Sequence, residues 1–174
     1  MRNFKLTLWK FIKPSVQTIF VVIFFLCIMG VLMQGLLLRD GSVPPFLIGL
    51  TIVCVILLCV PNLILHINYY KEDRKKKIFI DFKKEVIKIS VDEKEESFFF
   101  QDIVKVVKTG LYHSKSDRQL TTAPWRFFYY YKIEFQDKRF KYLTRFIIQD
   151  LESLLPNVIF EYEKKRYPFI AHIP

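Results

Sequence analysis

Cysteine is scarce in this chain, and the charged part of the sequence contains none. Cys27, Cys54 and Cys59 all lie in uncharged runs within the first seventy residues. A disulfide framework or a thiolate zinc site needs several cysteines in the polar part of a chain, so neither is expected. The three thiols are expected to be small apolar packing groups.

Glycine and histidine are also few. The five glycines are not clustered, and no Gly-x-Ser-x-Gly, His-Glu-x-x-His or calcium-loop pattern is present. The three histidines lie far apart, one in an apolar run, one in a polar stretch and one near the C-terminus. We therefore predict no metal site, no cofactor and no enzymatic activity.

Two long uncharged runs dominate the N-terminal part. Residues 15–38 and 46–67 contain 24 and 22 residues without a charge. About 20 helical residues cross a hydrocarbon core. The first run is too long for a signal peptide and lacks a small-residue cleavage site. The sequence predicts a membrane protein with a transmembrane hairpin at 15–67.

The connection between the runs and their flanking charges predict the orientation. Residues 39–45 contain a glycine and two prolines, so a tight reversal makes the two spans antiparallel. Lys and Arg are concentrated on the two outer flanks: Arg2, Lys5, Lys10, Lys13, Lys71, Arg74, Lys75, Lys76 and Lys77. The loop has only Arg39, so both termini are predicted to be cytoplasmic.

The first fourteen residues have a helical pattern. Phe4, Leu8, Phe11 and Ile12 form one stripe, and the lysines lie largely outside it. This predicts an amphipathic helix over 1–14 in the membrane interface. The alternative is a charged flank without fixed structure.

Polar groups within the second run share one helical face. Thr51, Asn62 and His66 lie on this face. In a span such groups usually face protein or water, which favours a pore lining or a polar oligomer seam. The alternative is that Asn62 and His66 lie near the cytoplasmic headgroups.

After a basic linker at 68–77 the period changes to two. Apolar residues alternate in several short runs, which predicts a β-rich cytoplasmic domain over 78–174 and an α+β fold class overall. The longest strand candidate is 126–135. One C-terminal helix is predicted after Thr144, with five apolar residues at helical spacing: Ile147, Ile148, Leu151, Leu154 and Leu155.

Positive charge is the main chemical signal. From Lys71 onward there are 22 Lys and Arg against 16 Asp and Glu, a net charge of +6. Basic residues near a membrane bind anionic lipid. The candidates are Lys5, Lys10, Lys13, Arg74, Lys75, Lys76, Lys77, Lys164, Lys165 and Arg166. Nucleic acid is the alternative partner, on a platform of Arg126, Tyr129, Tyr131 and Lys132. Strictly alternating aromatic residues more often form the core of a sheet, and this interpretation is favoured over the platform.

Two resemblances add expectations. The segment 78–155 resembles bacterial pleckstrin-homology-like domains through Ile78–Asp81, Phe99–Ile103, Tyr130–Phe135 and the closing helix. This likeness implies a bent β-sandwich that acts as an interaction module and binds lipid or a protein partner.

The whole layout also resembles the small membrane accessory protein of RNA-targeting type VI-B CRISPR systems. That family combines N-terminal membrane helices with an Arg-x4–6-His pattern, which Arg166 and His172 match. The likeness implies a homo-oligomeric pore in a bacterial inner membrane, accessory to antiviral defence and an RNA-guided nuclease. A second activity that the likeness implies is that of a HEPN-like ribonuclease, with Arg166 and His172 as catalytic candidates. The predicted strands around this pair argue against an all-helical HEPN domain.

Overall fold

The computed structural model describes residues 2–111, 125 and 127–171. A short strand, β1 (Arg2–Lys5), precedes two long helices, α1 (Leu8–Asp40) and α2 (Pro45–Asp73). A β-rich part follows. Its strands are β2 (Lys76–Asp81), β3 (Val86–Val91), β4 (Lys94–Phe99), β5 (Ile103–Gly110), β6 (Tyr129–Phe135), β7 (Phe140–Thr144) and β8 (Phe160–Lys164).

The two helices form the predicted antiparallel hairpin. Residues 41–44 join them, and Gly41 adopts a φ of 70°, a conformation that favours glycine. The Gly41 N–H donates a hydrogen bond to the Leu37 carbonyl at 3.0 Å and so caps the end of α1. By length and composition, Val22–Arg39 and Pro45–Asp73 are apolar enough to cross a membrane.

The strands form two four-stranded sheets. The first has the order β1-β2-β3-β4 and is antiparallel throughout. The second has the order β7-β6-β5-β8, with β8 parallel to β5. The predicted strands are confirmed, since alternating apolar residues place one face of each sheet against a shared core.

The second sheet has a packed cluster on each of its faces. Tyr131 and Ile133 of β6 point into the core between the sheets. The preceding residue, Tyr130, points the other way, where it packs with Phe128 against Leu65 and Tyr69 of α2. We call this second cluster the α2 core; it comprises Leu65, Tyr69, Phe128, Tyr130, Phe146 and Ile170. Helix α2 is therefore part of the β-rich fold.

The prediction of an N-terminal interfacial helix is wrong for residues 2–5. Arg2–Lys5 is a strand, and Phe4 pairs with Ile78 of β2 and packs on the core. The helix begins at Leu8 and continues through Pro14 into α1. A single apolar residue such as Phe4 fits either period, and the free edge of β2 supplies backbone partners that the local sequence does not reveal.

The proposed linker at 68–77 is also wrong. Helix α2 continues to Asp73, and β2 starts at Lys76 after a two-residue turn. Because β1 precedes the helices and pairs with β2, the whole hairpin is an insertion between two neighbouring strands of one sheet. A domain boundary at residue 78 would separate β1 from its own sheet.

The predicted C-terminal helix does not form. Residues 145–155 make separate turns, although the five apolar side chains are all buried in the core. The Tyr129 hydroxyl donates to the Gln149 carbonyl. The Tyr131 hydroxyl donates to the Glu152 carboxylate at 2.8 Å and accepts from the Leu151 N–H at 3.4 Å. These side chains satisfy backbone groups that a helix would otherwise pair.

Candidate membrane and anion-binding surface

Exposed basic residues gather where both helices join the first sheet. Lys71 lies in the last turn of α2, and Arg74 caps it by donating its N–H to the Tyr70 carbonyl at 2.9 Å. Residues three apart on a helix are neighbours, so Lys71 and Arg74 share one side. Cations also suit the negative end of a helix dipole, which gives this pair a structural role as well.

Two lysines face each other across the β1–β2 edge beside them. Lys5 is the direct register partner of Lys77, and both side chains are exposed. Neither forms an ion pair with any residue in the described ranges. Like charges in this position repel each other and destabilise a strand pair. We call Lys5, Lys71, Arg74 and Lys77 the junction cluster.

Two predicted anion ligands are already neutralised by the fold. The Nζ of Lys76 is buried, pairs with Glu72 and donates to the Tyr142 carbonyl at 2.9 Å. The Nζ of Lys75 lies 2.9 Å from Asp92. Of Lys10 and Lys13 only the backbone is described, in the first turns of α1. Among the flank side chains that the structure describes, the cations without an acidic partner are those of the junction cluster and Arg2.

A second basic run lies at the C-terminal side of the domain. Lys164 and Arg166 are exposed, whereas Lys165 is half-buried and pairs with Glu163 at 3.4 Å. The Arg166 carbonyl accepts a hydrogen bond from the Trp125 indole at 2.8 Å. This bond places the run next to the α2 core.

The tail after this run lies along α2. The Asn68 side chain donates to the Ile170 carbonyl at 3.1 Å and accepts from its N–H at 3.0 Å. The Tyr69 hydroxyl donates to the Pro168 carbonyl at 2.9 Å. The Tyr167 hydroxyl donates to the Pro61 carbonyl at 2.5 Å. We call residues 167–170 the tail segment.

The predicted pore-lining residues are covered within the chain. His66 is buried, with its ring 4.9 Å from Phe146 and 6.0 Å from Phe128. Asn62 is buried one turn earlier, and the Thr51 hydroxyl donates to the Leu47 carbonyl of its own helix at 2.8 Å. A pore lined by His66 would require its aromatic contacts to open, so that role stays a prediction.

The aromatic platform considered for nucleic acid does not form. Tyr131 is fully buried, and Lys132 lies on the opposite face of β6, paired with Glu134 at 2.7 Å. Arg126 lies outside the described residues. Burial raises the pKa of Tyr129 to about 12 and the pKa of Tyr131 well above its ordinary value. Both hydroxyls therefore stay protonated and serve as donors inside the fold.

Of the Arg-x5-His pair, His172 lies outside the described residues. Arg166 is exposed. No group of three or more His, Cys, Asp and Glu that could hold a metal ion occurs among the described residues.

Sequence reasoning missed Asn68, Tyr69 and Asp73 as the residues that join α2 to the rest of the fold. Asp73 is fully buried and accepts a hydrogen bond from the Thr144 hydroxyl. A buried carboxylate needs such a partner. The available signal was that Leu65, Tyr69 and Asp73 continue the face of Asn62 and His66 at helical spacing.

A family model described as a PH domain matches residues 3–154. The matched range starts in β1, includes both helices and continues past β7. No curated protein and no solved structure matches the chain.

Proposed function

The chain belongs to the PH domain family, and on that premise we propose that it is a membrane-attached module whose junction cluster binds anionic lipid headgroups. PH domains are binding modules for lipids or proteins and are not catalytic, so this chain is not an enzyme.

The facing lysines Lys5 and Lys77 carry this proposal. They lie where α1 leaves the first sheet and α2 re-enters it, so apolar helices seated in a bilayer would hold this edge against the headgroups. An anion bound between them would replace repulsion with attraction. A basic residue close to an anionic membrane surface contributes about 1 kcal/mol.

Lipid retention by the full chain tests the proposal. Protein in mild detergent is mixed with phosphatidylglycerol or phosphatidylcholine of the same acyl chains, and bound lipids are counted by native mass spectrometry. We expect preferential retention of phosphatidylglycerol that weakens with added salt, because salt screens exposed charges.

Two matched variants, each of which loses three positive charges, locate the site. Lys5→Gln, Arg74→Gln and Lys77→Gln together should abolish the preference. Lys83→Gln, Lys84→Gln and Lys138→Gln remove the same charge from exposed turns elsewhere in the domain and should leave the preference intact. Equal losses in both variants would contradict a localised site, because the preference would then follow the net charge of the domain.

The homo-oligomeric pore, its role in antiviral defence and an RNA-guided nuclease partner stay predictions from the sequence. They rest on the resemblance given above and on the polar face of α2. The ribonuclease stays excluded with the other enzymes. The pore would be supported if the protein releases dye from vesicles and the double variant Asn62→Leu with His66→Leu does not.

A further inference from the structure

The contact between the tail segment and α2 lies at a particular level of the helix. Tyr167 bonds to Pro61, and Ile170 bonds to Asn68. Between these positions the opposite side of α2 remains apolar and exposed, at Leu63, Ile64 and Ile67. The helix is therefore covered by protein on one side and uncovered on the other at the same height.

That height coincides with the expected edge of the bilayer. From Phe46, just after the prolines of the turn, about 20 residues at ~1.5 Å each cross ~30 Å of hydrocarbon and end near Leu65. The Pro61 carbonyl would lie about 6 Å inside this edge, and Asn68 about 5 Å beyond it. The tail segment would straddle the boundary.

The chemistry of the tail segment suits this position. Residues 167–170 carry no charge, and Phe169 is 41% exposed. The half-buried ring of Trp125 lies 6.0 Å from that of Tyr167. Aromatic side chains with a polar tip prefer the membrane interface, and the exposed Lys164 and Arg166 precede them at headgroup level.

We infer that the tail segment and Trp125 form an interfacial seat, so that the PH domain is partly sunk into the membrane surface beside α2. The seat takes the lipid boundary as its partner, since its aromatic surface continues the exposed apolar surface of α2. This inference rests on the proposed membrane attachment, and the junction cluster is a separate surface.

Tryptophan quenching in reconstituted vesicles tests the seat. The Trp9→Phe variant of the full chain leaves Trp125 as the reporter. Two further proteins, both carrying Trp9→Phe and Trp125→Phe, place a tryptophan at Leu57 as a reporter for the helix or at Phe140 for an exposed strand of the domain. A fourth, on the same background, carries Phe169→Trp in case Trp125 is shielded by Tyr167. Each is measured with brominated lipid and with aqueous acrylamide.

The seat predicts that brominated lipid quenches most of the emission from Trp125 or from Phe169→Trp, as it does for Leu57→Trp, and leaves Phe140→Trp unaffected. Quenching of both seat reporters by acrylamide alone, with Leu57→Trp quenched by lipid, would overturn the seat and retain membrane attachment. If neither brominated lipid nor acrylamide quenches the two seat reporters, protein covers the seat, for example a second copy of the chain. Failure of lipid to quench Leu57→Trp would overturn the attachment itself.

Discussion

Helix α2 has two halves that differ both in composition and in their surroundings. In residues 45–60 large apolar side chains such as Phe46 and Leu57 are exposed, at 69% and 63%. In residues 61–73 one face is buried against the second sheet and the tail segment, with Leu65 and Tyr69 fully covered. An apolar helix can thus be a candidate span in one half and a structural element of a β-domain in the other.

The difference shows how the β-rich domain is held relative to the helical hairpin. A domain on a single flexible linker could move freely relative to its anchor. Here the helical hairpin is inserted between β1 and β2, and α2 also packs along the sheet. Two chain connections and a buried face therefore fix the orientation of the domain relative to α2.

The neighbouring residues Tyr69 and Tyr70 give the sharpest test of the comparison. Tyr69→Ala should lower the free energy of unfolding by about 3–5 kcal/mol, because it leaves a cavity in the α2 core and removes the bond to Pro168. Tyr70, which is 41% exposed, should tolerate the same change with little loss. Thermal unfolding of the full chain in mild detergent measures both. Similar shifts would show that α2 does not pack as described.

A lysine placed in the exposed half tests whether that half meets lipid. Leu57→Lys should weaken membrane insertion by about 3 kcal/mol, since a charge near the centre of a span is costly. Ile67→Lys should have a small effect, because a lysine near the boundary can extend to the headgroups. The carbonate-resistant membrane fraction reports the difference. Equal insertion of Leu57→Lys and the unchanged chain would contradict a lipid-facing first half.

Loss of the Asn68 amide tests how the second half holds the tail segment. Asn68→Ala removes two hydrogen bonds to Ile170, each worth about 0.5–1.5 kcal/mol. We expect faster hydrogen exchange at residues 167–171 and unchanged exchange in β2 and β3. Asn157→Ala, at an exposed turn, is the control and should change neither.

The smallest effect is expected at the end of α2, where the helix passes into β2. Without anionic lipid, Lys77→Gln should raise the free energy of unfolding by about 0.2–1 kcal/mol, because it relieves repulsion from Lys5. About 1 M salt should remove the gain by screening, and Lys83→Gln should show none. A destabilised Lys77→Gln protein would mean that Lys77 has an attractive partner.

Local patterns in the sequence sufficed for the elements whose partners are nearby in the chain. The uncharged runs and the Gly-Pro turn predict the helical hairpin, and alternating or short apolar runs predict β2 to β7. The five apolar residues after Thr144 were correctly assigned to the core. Their helix was wrong, because tyrosine hydroxyls from β6 bond to the Gln149 carbonyl and the Leu151 N–H.

What hydropathy and periodicity determined is therefore which residues avoid water. Only the tertiary structure decided what covers them. Phe4 lies in a strand because β2, some seventy residues later, offers a free edge. Tyr69 and His66 contact aromatic residues of the β-domain because the second sheet exposes Phe128 and Tyr130 on its outer face. Burial from water is a property of each side chain, whereas the choice between lipid and protein depends on surfaces that distant segments bring together.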